Sequence, residues 1–253
     1  MDLRVEGGGP THPFQRAATR FESGFDLAKP VEVRIKPDPN ARTWTGHRHD
    51  AHVLSLSERA ARSALAPELA LHEFAHMRRA EEEHPSHTLD TEEALFLAFA
   101  GQQVERDVLP HAYQIANHLR DLYADELTFE VTSGGKLVSF IESELAAALA
   151  DRPRDAPEAG YRLSGETDPG LTAVNAAFAL ALVDRHGIDT DHRLAELADA
   201  AAADAPGIDV SVFRDRFGAL HSDPTERECL RTLVDLLETY FEHRARDAGR
   251  AAD

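Results

Sequence analysis

The chain has 253 residues, 42% of them hydrophobic, enough for one large domain or for a core with a helical appendage. Asp and Glu number 45 against 27 Lys and Arg, and the formal charge of -18 argues against nucleic acid as a partner. Cys229 is the only cysteine, which excludes an intramolecular disulfide and any multi-cysteine zinc site.

Met1 is followed by Asp-Leu-Arg-Val-Glu, with neither a basic stretch nor an apolar run, so no signal peptide is read. Together with the lone cysteine this predicts a cytoplasmic protein that does not engage membranes. Gly7-Gly8-Gly9 lacks the Lys-Ser/Thr of a phosphate loop and reads as a disordered tail. Pro13 to Glu22 reads as a short helix. Val31 to Lys36 alternates β-branched with polar residues and predicts a strand, Pro37 to His52 is turn-rich, and His52 to Ser57 predicts a second strand.

From Ser57 to about Ala80 the pattern is helical, in two pieces because Pro67 restarts it at a first-turn position where a missing N–H costs nothing. Thr91 to Val108 predicts another helix, capped by Asp90 or Thr91, with Glu92 and Glu93 in its first turn and Pro110 ending it. Tyr113 to Phe129 and Leu137 to Ala150 follow as helices. Asp151 to Gly170, rich in Pro, Gly, Asp and Arg, reads as a linker or long surface loop. Three further helices run roughly over 171–187, 190–203 and 224–246, and the apolar stretch Leu171 to Val183 is too short for a bilayer span and reads as a buried helix. The expected fold class is α+β, mainly α: a small sheet beside a motif helix in residues 1–150, the linker 151–170, and a helical C-terminal layer over 171–253.

The motif is Ala70-Leu71-His72-Glu73-Phe74-Ala75-His76-Met77. Two histidines four apart project from one face of an α-helix and can grip one ion, with Glu73 beside that face. A metal so held acidifies bound water and polarises a carbonyl, and the adjacent carboxylate takes the water proton as general base. The bland alternative is a helix whose histidines only make hydrogen bonds; the apolar residues between and after them favour the metal site.

A catalytic zinc site needs a third protein ligand. A third histidine six residues on, after a glycine, is not found, because those positions hold Glu82 and Arg79. Asp121 and Asp125 lie four apart further along, with Asn117 one turn before, so all three share a helix face. Asp121 is the expected ligand, with Asp125 and Asn117 behind the ligands to fix a histidine tautomer. His118 and Glu126 remain as alternative ligands, as do His84 and His87, around which the Glu81-Glu82-Glu83 run and Pro85 predict a loop. Tyr123 reads as core, Tyr113 as a possible oxyanion donor, and His47, His49 and His52 as a solvated turn cluster or, alternatively, as substrate contacts along an edge strand.

HEFAH followed some forty residues later by a carboxylate helix resembles the gluzincin branch of the zincin metallopeptidases, over residues 50–130. In that branch the second motif is Glu with Asp four residues on; Asp121 departs from it by one methylene. The resemblance implies a zincin-like sheet and HExxH helix, one Zn2+ per chain, and hydrolysis of a peptide or protein substrate. The acidic, lysine-poor composition, with only Lys29, Lys36 and Lys136, is similar to that of salt-loving archaeal proteins, and the chain resembles uncharacterised haloarchaeal proteins with HExxH motifs. The alternative expectation is a metal-stabilised, catalytically inactive interaction module with a protein partner.

Overall fold

The computed structural model describes residues 1–101, 108–150 and 168–251. It is an α+β protein, mainly α, with one four-stranded sheet. Two compact units divide it: Met1–Thr88 with Arg120–Leu137, and Leu89–Leu119 with Val138–Asp253. They are not the consecutive units expected from the composition shift, and residues 151–167 of the expected linker lie outside the described residues.

The first unit begins with β1 (Leu3–Glu6), α1 (His12–Phe21), β2 (Val31–Lys36), β3 (Trp44–His47) and β4 (His52–Ser57). The strand order is β1-β2-β4-β3; β1, β2 and β4 are parallel, and β3 is an antiparallel edge strand with Thr45 opposite Leu54 and His47 opposite His52. Parallel neighbours need a crossover, which α1 supplies between β1 and β2. Its buried Phe14, Ala17, Ala18 and Phe21 fall at helical spacing and face the core. In β2 the buried Val31, Val33 and Ile35 alternate with less buried residues, whereas central β4 is buried throughout.

The expected strands at 31–36 and 52–57 are both present, while β1 and β3 occur where the sequence suggested an irregular entry and turns. Four-residue strands are too short to display alternation, and β3 includes a glycine. Gly7–Gly9 is not a disordered tail: Gly7 has φ +109°, and a Cβ there would lie 2.3 Å from the Ile35 carbonyl oxygen, so only glycine permits this turn against β2.

After β4, Ser57 caps α2 (Glu58–Ala61) by accepting from Ala60 N–H at 3.1 Å, and α3 (Ala66–Glu81) restarts with Pro67 in its first turn. The one-turn helix α4 (Pro85–Thr88) follows. The unit is completed by the Arg120–Val131 part of α6 (Leu109–Val131). Leu71, Phe74 and Met77 of α3 join Leu54, Ala124 and Leu127 in one apolar core.

The second unit contains α5 (Thr91–Ala98), the start of α6, all but the first three residues of α7 (Gly135–Ala150), α8 (Pro169–His186), α9 (Arg193–Asp204), α10 (Val210–Gly218) and α11 (Glu226–Ala251). Asp90, not Thr91, caps α5, accepting from Glu92 and Glu93 N–H at 2.9 and 3.3 Å. The helix expected over 91–108 stops at Ala98, and residues 102–107 lie outside the described residues. Pro110 does not end a helix but stands in the first turn of α6, where its fixed φ favours initiation. α8 is buried along almost its whole length, as expected for Leu171 to Val183, packs on α9 and α10, and ends at Gly187 in the left-handed region, φ +57°. α10, which the sequence reading passed over, is capped by Asp209 and buries Phe213 and Phe217. Among the described residues no helix is long and apolar enough to cross a membrane.

Glu81, at the end of α3, fastens helix to sheet. Its carboxylate accepts from Ala28 and Lys29 N–H, both at 2.8 Å, just before β2, and from His52 Nε2 of β4 at 3.1 Å. Burial opposes ionisation, but these donors outweigh it and hold the Glu81 pKa below its ordinary value. A carboxylate with a depressed folded pKa stabilises fully above the ordinary carboxylate range and loses that contribution as pH falls through the folded value. Glu81→Ala should therefore cost about 2–3 kcal/mol at pH 7, with the gap from wild type narrowing in acid. Denaturant midpoints at pH 7 and pH 3 check this; equal midpoints at pH 7 would remove Glu81 from the stability account.

Candidate metal centre

His72 and His76 fall on successive turns of α3, their ring centroids 4.6 Å apart, because a separation of four residues rotates the chain back to the same face. Phe74, Ala75 and Met77 bury the opposite side and thereby aim both imidazoles away from the core. Asp121 meets them from α6. Its Oδ1 lies 3.2 Å from His76 Nε2 and 3.6 Å from His72 Nε2, and the two Nε2 atoms are 3.0 Å apart. Among the described residues this is the group of His, Cys, Asp and Glu side chains whose ligand atoms could hold a metal ion.

The separations fit a metal. Donor atoms at tetrahedral angles around zinc, each about 2.0–2.1 Å from it, stand roughly 3.3–3.4 Å apart. The three edges observed here bracket that value. Two neutral imidazoles and one carboxylate are also an ordinary zinc donor set that leaves room for a further ligand.

Each histidine is held from behind by a different group. Asp125, whose side chain is only 3% exposed, accepts from His72 Nδ1 at 2.7 Å. His76 Nδ1 lies 2.8 Å from His87 Nε2, His87 Nδ1 lies 2.8 Å from Ser86 Oγ, and that hydroxyl lies 2.8 Å from His84 Nδ1. Burial opposes a charge on His72, but Asp125 and Asp121 outweigh it and hold its pKa well above the ordinary value. The two carboxylates thus create a place for positive charge, which a proton or a metal can fill. Burial pushes the His87 pKa down to about 2, with His76 and His84 adding to the effect, so His87 backs its neighbour as a neutral ring.

Glu73 leaves the same helix beside the ligands, and its Oε2 accepts a hydrogen bond from the Thr45 hydroxyl of β3. The edge strand thus fixes the carboxylate next to the metal group.

Of the other residues the sequence suggested, Glu126 is engaged by Arg79 at 2.8 Å, and Arg79 Nε also donates to the Tyr123 carbonyl at 3.0 Å. His84 is buried, with Nδ1 on Ser86 and its ring against Tyr123. His118 belongs to the second unit, where Nε2 bonds Asn175 Oδ1 at 2.7 Å and the ring stacks on Phe178. None of these three enters the ligand group. Asn117 is exposed, one turn before Asp121, and belongs to the second unit. Tyr123 is fully buried, as expected for a core residue, and Tyr113 is 44% exposed. His52 is buried rather than solvated, bonded through Nδ1 to His47.

His87 and Thr45 were not singled out for these contacts. Pro85 and the acidic run before it suggested a loop around His87, and nothing in the spacing of Thr45 ties it to Glu73, 28 residues on.

Replacing His76 or Asp121 by Ala should abolish stoichiometric zinc binding. Asp125→Asn and His87→Ala should each leave one zinc per chain but weaken it about 10- to 100-fold. Competition against a chromophoric chelator measures both effects, and unchanged affinity in the latter pair would show that the groups behind the histidines do not tune the site.

A search of curated proteins returned no match, and no solved structure matches the chain. One family model does match, over residues 1–242, a span that includes both helices of the metal group and β3. The chain belongs to that family, the family of unknown function DUF5781.

Proposed function

We propose that this chain is a cytoplasmic zinc-dependent hydrolase acting on peptide bonds, of the zincin type. The observation that carries the reading is the convergence of His72 Nε2, His76 Nε2 and Asp121 Oδ1 beside a carboxylate, Glu73, that is not itself part of the group. Zinc bound there would polarise a carbonyl and lower the pKa of water.

The chain's own residues supply the rest. Asp125 and His87 keep both Nδ1 atoms occupied, so the Nε2 lone pairs of His72 and His76 are directed at the shared point. The Thr45 hydroxyl holds one oxygen of Glu73, leaving the other to accept a proton from an attacking water and to return it to the leaving amine. β3 is the terminal strand of the sheet, and an extended polypeptide can add to its outer edge through main-chain hydrogen bonds, which favours a peptide or protein substrate. Asp121 stands where the gluzincins have the longer Glu, and despite the missing methylene its Oδ1 comes within 3.2 and 3.6 Å of the two Nε2 atoms.

Zinc-loaded protein should hydrolyse fluorescein-labelled casein, assayed in dilute buffer and in molar KCl. Glu73→Gln should lower the rate by about 10²–10⁴-fold while retaining one zinc per chain. Zinc bound with no hydrolysis by either form would instead favour a metal-stabilised interaction module.

A further inference from the structure

The hydrogen-bond chain running from the end of α3 through the sheet to β3 has only one consistent direction. Glu81 is ionised, held so by two backbone N–H donors, and therefore accepts from His52 Nε2. With its proton on Nε2, neutral His52 carries a lone pair on Nδ1. That lone pair faces His47 Nδ1 at 2.9 Å, so His47 must donate from Nδ1. Nε2 of His47 is then left without a proton. The opposite direction would set two lone pairs against each other at His52 Nε2 and Glu81. It would otherwise need a charged His52, whose pKa burial lowers.

The position of that bare nitrogen matters. Side chains of a strand alternate, so His47 projects from the same face of β3 as Thr45, about 6.8 Å further along. Thr45 bonds Glu73, and His47 through His52 leads to Glu81, so both lie on the face turned to α3. His47 itself is exposed, and among the described residues its Nε2 has no partner. Partial desolvation of the ring, which is only half covered, together with His52 and His76 nearby, pushes its pKa down to about 4, so it is a neutral acceptor at pH 7.

We propose that His47 is a specificity-determining residue: its Nε2 accepts a hydrogen bond from the side chain of a peptide strand added to β3, selecting a donor such as Lys or Gln and rejecting Glu at the opposing position. A residue placed opposite on the same face of an added strand comes within side-chain reach. A carboxylate there would meet a lone pair, whereas an ammonium or amide N–H would satisfy it. The proposal rests on the peptide-hydrolase reading for its substrate, but its test does not require turnover.

The probe is a fluorescein-labelled Ala-based decapeptide set in which one position at a time carries Lys, Gln, norleucine or Glu, with binding to zinc-loaded Glu73→Gln protein followed by anisotropy. At one position Lys and Gln should bind about five- to ten-fold more tightly than norleucine, and Glu more weakly still. Adding His47→Leu should abolish the preference, and His47→Gln, which retains an acceptor, should preserve part of it. Long-range proton–nitrogen NMR of the imidazole rings should show His47 Nε2 unprotonated at pH 7. A protonated Nε2, a preference that survives His47→Leu, or no position with a preference would each overturn the proposal. A His47-dependent preference in a protein that hydrolyses nothing would uphold it while removing the hydrolase reading.

Discussion

The docking of the Arg120–Val131 stretch of α6 against α3 is the constraint on which the candidate site depends. Each helix alone carries half a metal group: two imidazoles on one, two carboxylates on the other. Leu71 and Phe74 share a core with Ala124 and Leu127, and Arg79 ties the helices at the polar margin by donating to the Tyr123 carbonyl and pairing with Glu126. Asp125 is nearly fully buried in this contact, which is costly for a carboxylate unless it is paired and hydrogen-bonded; the His72 ring meets that need. Packing and ligand geometry are therefore one problem, because any slip of α6 along α3 separates Asp121 from both Nε2 atoms.

The sheet contributes through its antiparallel edge. β3 contributes two residues that act at a distance in sequence: Thr45, which fixes Glu73, and His47, whose tautomer is set by a chain ending at Glu81. Glu81 also binds the segment before β2 through two backbone N–H groups, so the carboxylate that aligns the sheet with α3 is the one that directs the histidine pair. Structural and chemical roles meet in a single ionised group.

Local charge at the metal group follows from neighbours rather than from the -18 of the whole chain. His72 is backed by a carboxylate and His76 by a neutral imidazole, so of the two groups behind the histidines only Asp125 adds negative charge to that of Asp121. In molar salt, where the screening length falls to about 3 Å, only contacts this short retain their strength.

The sequence by itself was sufficient for the features that arise within a few residues of chain. The four-residue spacing of His72 and His76 puts both on one helix face, the spacing of Asp121 and Asp125 does the same on the second helix, and the alternation in 31–36 marks a strand. Pro67 and Asp90 place the starts of α3 and α5, although Pro110 was read as a stop because a proline alone does not say which side of it is helical. What the tertiary structure decided are the contacts across long separations: that Asp121 rather than His118, Glu126 or His84 meets the two histidines, that His87 stands behind His76, that Thr45 holds Glu73, and that His52 is buried against Glu81. Periodicity reports which face of an element is apolar, but the pairing of faces depends on the summed packing of the core, and no local pattern along the chain encodes it.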